Sequence, residues 1–158
     1  PFNAWMYVDS SLTSALDTIG VAIRTETSAV PNVIKSMAVC VVAAHRRCNV
    51  AFWAHTKMAA AAGLSEVGID DLKNGRMPAF VDQLDASANS QRAVYRFAKT
   101  YMTHHRVPDE LYYAVRNHLG SDNAMVQLVL AIAHYCNISA QLNLLRVPAP
   151  GAQQPFPP

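Results

Sequence analysis

Apolar positions recur along this chain with the period of an α-helix. They fall three and four residues apart in every long segment, for example through residues 12–23 and 125–145, and this spacing puts them on one face of a helix. No segment of useful length alternates with the period of two that marks a β-strand. The pattern therefore predicts an all-α protein.

Capping residues and helix breakers divide the pattern into about six to seven helices. Ser65 and Ser121 are suited to helix N-caps, Gly63 and Gly120 to the left-handed residue that ends a helix, and Pro108 to a helix start. The predicted helices extend from about residue 10 to 23, 31 to 42, 48 to 62, 65 to 72, 85 to 107, 108 to 120 and 121 to 145.

The length of 158 residues suits one domain with a substantial core and is too short for two. No internal repeat and no linker divides it. Five of the nine prolines lie from Pro148 onward, where proline stops the last helix and favours extended backbone. We therefore expect one helical domain over residues 1–147 and a Pro-rich tail over 148–158.

Charge excludes some partners and favours others. Charged residues are only 15% of the chain, below the roughly 25% of an average soluble domain. The net charge is +2 and no run of Lys and Arg exceeds two residues, so nucleic acid is not expected as a partner. Such thin polar cover indicates an apolar face buried between copies of the chain, a homo-oligomer. The alternative is a monomer with an Ala-rich, weakly apolar surface.

Membrane and secretory signals are not evident. The apolar run at residues 37–44 ends at His45 and is far shorter than the ~20 residues of a membrane span. No segment has the form of a signal peptide. Three cysteines, an odd number, do not suggest a disulfide framework. We expect a cytoplasmic protein that does not associate with membranes.

The richest chemistry lies near the start of the third predicted helix. Cys48 and His55 are seven residues apart, nearly two helical turns, and so share a face. A thiol in the first turn favours its thiolate form, and Arg46 and Arg47 add positive potential. A nucleophile and its acid–base partner are one interpretation. The alternatives are a buried, inert thiol and a histidine satisfied by a backbone carbonyl.

The spacing of this segment resembles the carboxymuconolactone decarboxylase and alkylhydroperoxidase-like family. Redox members of that family carry Cys-x-x-Cys, then a His three residues later that opens His-Thr-Lys and leads to Ala-Gly-Leu. The runs at residues 1–4 and 107–111 and the last helix through Pro148 are similar as well. The chain has the motif as Cys48, His55-Thr56-Lys57 and Ala62-Gly63-Leu64.

Two departures from the redox members change the expected activity. Ala51 stands where they have the second Cys, and Ser36 stands where they have an acidic residue. A lone Cys48 cannot form the intramolecular disulfide of a dithiol peroxidase. The resemblance then implies an oligomer, trimeric or hexameric, with non-redox lyase or decarboxylase chemistry on a small carboxylated or lactone metabolite. The alternatives are a one-cysteine, thiol-dependent hydroperoxide reductase using Cys48, and an inert oligomer that binds a small molecule.

The resemblance also assigns site residues. His55 is expected to be the acid–base group, with Cys48 beside it and Ser36 as a hydroxyl donor in the same pocket. Phe52, Trp53 and His134 are candidates for binding substrate, although packing in the core or between subunits would explain them equally. The histidine pairs lack the spacing and companion ligands of a zinc site, so neither metal nor cofactor is expected.

Overall fold

Seven helices account for most of the residues that a computed structural model describes, 9–24, 29–78, 86–151 and 154–157, and none of these residues forms a strand. The all-α prediction is confirmed over this part of the chain. The helices are α1 (Ser10–Arg24), α2 (Asn32–His45), α3 (Asn49–Ala61), α4 (Glu66–Lys73), α5 (Ala86–His104), α6 (Asp109–Leu119) and α7 (Asp122–Leu144).

Local signals set the helix ends where the sequence predicts them. The Ser65 hydroxyl accepts a hydrogen bond from the Gly68 amide at 3.1 Å, and that of Ser121 accepts one from the Ala124 amide at 3.1 Å. Gly120 closes α6 with a φ of 78°, a left-handed conformation that glycine adopts without strain. The predicted bounds are therefore right to within one or two residues at these ends.

Helix α2 lies at the centre of the fold. All ten residues from position 34 to position 43 are buried, which is expected of a helix that is apolar on every side. Helices α3, α5 and α7 pack around it, and α4 covers a smaller part. Residues that face α2 are consequently removed from water.

Helix α1 packs differently from its sequence pattern. Its apolar stripe predicts a buried face, yet only Thr13 and Gly20 are buried, while Leu12 is 65% exposed and Ile19 is 49% exposed. The reason is close contact at Gly20, where a Cβ would lie 3.4 Å from Nε2 of His134. Helix α1 thus lies against α7 through small residues, and its large apolar side chains remain at the surface.

Helix α7 is the longest element and is apolar enough, by length and composition alone, to pass as a membrane span; it is the one such helix among the described residues. Half of the span is buried inside the fold against α2 and its neighbours. The core helix of a soluble protein has the same properties, and the structure is compatible with a soluble protein.

The Pro-rich tail returns to the domain. Phe156 is only 6% exposed, and its ring lies edge-on to that of Phe52, with centroids 5.0 Å apart. Ala149 is buried as well. Residues 149 and 156 of the predicted tail therefore pack with the helical core.

Leu128, fully buried in α7, reports on the packing around α2. We expect Leu128→Ala to lower the free energy of unfolding by about 2–5 kcal/mol, because it leaves a cavity in the core. Val67, on α4, is 63% exposed, and Val67→Ala should lower the free energy of unfolding by less than about 1 kcal/mol. Urea denaturation of both variants measures the difference, and equal losses would contradict the packing described here.

Candidate functional site

His55 lies on the inner face of α3, where α3 meets α7. The side chain is only 5% exposed, and its ring stands edge-on to that of Tyr135 with centroids 4.4 Å apart. His134, the residue before Tyr135, has its ring 5.2 Å from the same phenol. The two histidines that the sequence proposes for the site therefore lie on either side of one tyrosine.

Two cationic side chains complete this group. Arg24, at the end of α1, lies close enough to Tyr135 to lower the pKa of its hydroxyl. Lys35 is buried in α2, and its Nζ donates a hydrogen bond to the carbonyl oxygen of Ile23 at 2.7 Å. Arg24 also pairs at 3.7 Å with Asp17, whose side chain is half exposed. We call His55, His134, Tyr135, Arg24 and Lys35 the His55 cluster.

Electrostatics keep the His55 imidazole neutral. Burial is the largest of the effects that lower its pKa to about 4, and the positive potentials of Arg24, of His134 when charged, and of Lys35 are the others. No described residue makes a hydrogen bond with its buried Nδ1. Because an imidazole buried in this way still has a free polar atom, the site contains a neutral group able to accept or donate one hydrogen bond.

The pKa values of His134, Lys35 and Tyr135 are also shifted in the direction that favours the neutral form. Burial lowers the pKa of His134, with Arg24 acting in the same direction. Burial also lowers the pKa of Lys35 and raises that of Tyr135, an effect that Arg24 partly offsets. The charged groups that lower the pKa of His55 are all cationic. An anion bound next to them would offset their positive potential.

Cys48 immediately precedes the helix that carries His55. It is the N-cap of α3, not a residue of its first turn, and its backbone is extended (φ −87°, ψ 102°). The thiol is fully buried, and all three cysteines are free.

The remaining predicted residues point to different surroundings. Phe52 is buried against Phe156 of the tail, whereas Trp53 is partly exposed and carries the Lys57 ammonium 3.8 Å above its ring. Ser36 is buried next to Lys35 in α2. The structure brings His55 and His134 together and separates Phe52 and Trp53 from each other.

Two apolar grooves run along the seam between α1 and α7, on either side of the contact between Gly20 and His134. One, of about 520 Å³, reaches Asn137, one helical turn beyond His134; the other, of about 310 Å³, reaches Leu130, one turn before it. No residue of the His55 cluster lines either groove.

Nothing among the described residues gathers three or more His, Cys, Asp or Glu side chains in the way a metal ion requires. The imidazoles of His55 and His134 have cations for neighbours. Such surroundings favour anions over metal ions.

Sequence reasoning misses three members of the His55 cluster. Lys35 carries a usable signal, as it is the one charge between residues 33 and 44. Tyr135 is adjacent to a predicted residue. Arg24 carries no signal, because its place in the cluster depends on how α1 packs.

Comparison with known proteins does not extend this picture: no family model matches the chain, and no curated protein or solved structure is significantly similar to it. The family resemblance of the motif around Cys48 and His55 remains a hypothesis based on those residues.

The low pKa of His55 predicts how stability depends on pH. In the unfolded chain the imidazole binds a proton near pH 6.5, whereas in the folded chain it does so near pH 4. The free energy of unfolding therefore keeps its full value above pH 6.5. It falls by about 3 kcal/mol as the pH drops to 4, because the unfolded chain then binds a proton that the folded chain does not.

Urea denaturation between pH 4 and 7 measures this loss. His55→Gln should show a flatter pH dependence than the unaltered chain, while His118→Gln, at an exposed position, should not. Identical slopes for the unaltered chain and His55→Gln would show that His55 titrates normally.

Proposed function

We propose that the chain is a non-redox enzyme of lyase or decarboxylase type that acts on a small metabolite bearing a carboxylate or a lactone. His55 is the group that transfers the proton. The observation that carries this proposal is a buried, neutral imidazole with an unpartnered Nδ1 beside two cationic side chains. The resemblance to carboxymuconolactone decarboxylase-like proteins supports the same class of reaction.

The electrostatics suggest how substrate would activate the base. An imidazole with a pKa near 4 is a weak base in the empty site. A carboxylate bound beside Arg24 and Lys35 would offset their positive potential and raise the pKa of His55 toward neutrality. His55 would then accept a proton from the substrate at Nδ1 and return it to the product.

The other groups would have binding roles. Arg24 offers a planar guanidinium that can hold a carboxylate through two hydrogen bonds. The Tyr135 hydroxyl and His134 face the same region and could orient the ring of a substrate. Ser36 and Cys48 are proposed to line the site.

Binding of benzoate, with uncharged benzamide as the matched control, tests the proposal. Calorimetry near pH 6 in two buffers of different ionisation enthalpy should show that benzoate binding takes up part of a proton and that benzamide binding does not. His55→Gln should abolish the uptake. Arg24→Gln should weaken benzoate binding about tenfold or more, because it removes a charge-assisted interaction.

Benzoate binding without proton uptake would contradict the role of His55. Consumption of hydrogen peroxide with a thiol reductant, lost in Cys48→Ser and retained in His55→Gln, would instead establish the one-cysteine hydroperoxide reductase.

We also propose that the enzyme is a cytoplasmic homo-oligomer. Eight of the twelve large exposed apolar side chains among the described residues lie on α1, on α7 or just after it, so one side of the molecule is unusually apolar. The set on this side is Leu12, Ile19, Val21, Val126, Val129, Leu130, Leu144 and Leu145. Three free thiols are consistent with a reducing compartment.

Light scattering after size exclusion should therefore give a multiple of the 17.2 kDa protomer mass. Leu130→Glu should reduce that mass, since a carboxylate would be buried at the interface. Val67→Glu is the matched control, because Val67 is equally open to solvent but lies on α4. A monomer for the unaltered chain, or equal effects of the two substitutions, would contradict this part of the proposal.

A further inference from the structure

The end of the chain is held by side chains that contact its backbone. Asn49 pairs with both main-chain groups of Phe156: the Phe156 amide donates to Oδ1 of Asn49 at 2.7 Å, and Nδ2 of Asn49 donates to the Phe156 carbonyl at 3.1 Å. Arg47 donates from Nη2 to the carbonyl oxygen of Pro157 at 2.6 Å. Three hydrogen bonds thus engage two consecutive residues of a segment that bends at Pro155 and Phe156.

The side chain between these hydrogen bonds is held as well. The Phe156 ring packs edge-on against Phe52, and the Arg47 guanidinium lies 5.9 Å from its centre. Pro157 follows, and its ring fixes the backbone φ angle at this point. Paired hydrogen bonds to the main chain, together with an aromatic anchor, are a means by which proteins bind peptide segments.

The surface that receives the tail has further features of a built site. A cleft of about 430 Å³ continues beside Phe156 and Pro157 and is lined on its other side by Asn143 and Arg146. Arg47 and Arg146 have positive φ values of 50° and 54° because each is the left-handed residue that ends a helix. The Cys48 amide bonds to the Ala43 carbonyl and the Val147 amide to the Leu142 carbonyl, as this helix ending requires.

A second set of contacts fixes the approach of the tail. The Gln154 side chain accepts a hydrogen bond from the Ala149 amide at 2.8 Å and donates one to the Ala149 carbonyl at 3.0 Å. These bonds lie outside the surface of Arg47, Asn49 and Phe52. The contacts that bind Phe156 and Pro157 are therefore distinct from the contacts between Gln154 and Ala149.

We infer that Arg47, Asn49 and Phe52 form a recognition site for a peptide with a Phe-Pro sequence. Residues 154–157 fill the site within their own chain, and the site also accepts the same segment as a separate molecule. The site is independent of the proposed enzymatic function, since it lies at the N-terminal end of α3 and shares no residue with the His55 cluster.

A peptide with the sequence of residues 154–157, Gln-Pro-Phe-Pro, capped at both ends and labelled with a fluorophore, tests this inference on the full chain. Phe156→Ala weakens the competing tail without altering the receptor surface. The peptide should bind this variant saturably, and the unaltered chain should bind it more weakly because its own tail competes. The control peptide Gln-Pro-Ala-Pro should bind at least tenfold more weakly.

The double variant Asn49→Ala/Phe156→Ala tests the receptor side. It should lose at least tenfold in affinity for Gln-Pro-Phe-Pro. The affinity of Asn49→Asp/Phe156→Ala should lie between those of Phe156→Ala and Asn49→Ala/Phe156→Ala. The aspartate keeps an acceptor for the amide of the peptide phenylalanine and loses the donor for its carbonyl. Equal affinities for Phe156→Ala and both double variants, or no preference for the phenylalanine peptide, would overturn the inference.

A fluorophore placed after residue 158 of the unaltered chain gives a second measurement if Phe156→Ala does not fold. Excess Gln-Pro-Phe-Pro should displace the tail and lower the fluorescence anisotropy saturably, since a short tether acts at millimolar effective concentration. Anisotropy that stays constant up to about 10 mM peptide, the range of that effective concentration, would equally overturn the inference.

Discussion

Enclosure of helix α2 on all sides is the constraint on which the rest of the structure depends. Ten successive residues of α2 are buried, so helices α3, α5 and α7 have little freedom in where they lie. The same enclosure removes water from polar groups that face α2. Lys35 on α2 and His55 on α3 are buried for this reason. Burial lowers the pKa of both groups, which favours their neutral forms.

Desolvation and like charge act together at the His55 cluster. Either alone would lower the pKa of an imidazole, and the cationic neighbours are the part that would favour a bound anion. A carboxylate would offset the positive potential of the groups that lower the pKa of His55. The electrostatics of the site and the class of substrate proposed for it are thus two aspects of one arrangement.

Features that depend on local sequence are predicted well. The helices follow from apolar spacing and from caps such as Ser121 and Gly120, because each signal acts within a few residues. The composition of the site is only half predicted: His55 and His134 come from the motif and the last helix, whereas Arg24 joins them through the packing of α1 on Gly20. Docking of Phe156 is missed for the same reason, since proline content describes the local backbone and not its long-range contacts.

Direct titration of the histidines by long-range ¹⁵N-correlated NMR tests the central claim, a buried imidazole that stays neutral in the empty site. His55→Gln assigns the resonance. We expect the His55 signals of the ligand-free protein to keep the pattern of one neutral tautomer down to about pH 5 and to titrate with a pKa of about 4. A midpoint at 6.5 or above would show that the imidazole is solvated or paired with a carboxylate, and the account of the site would be wrong.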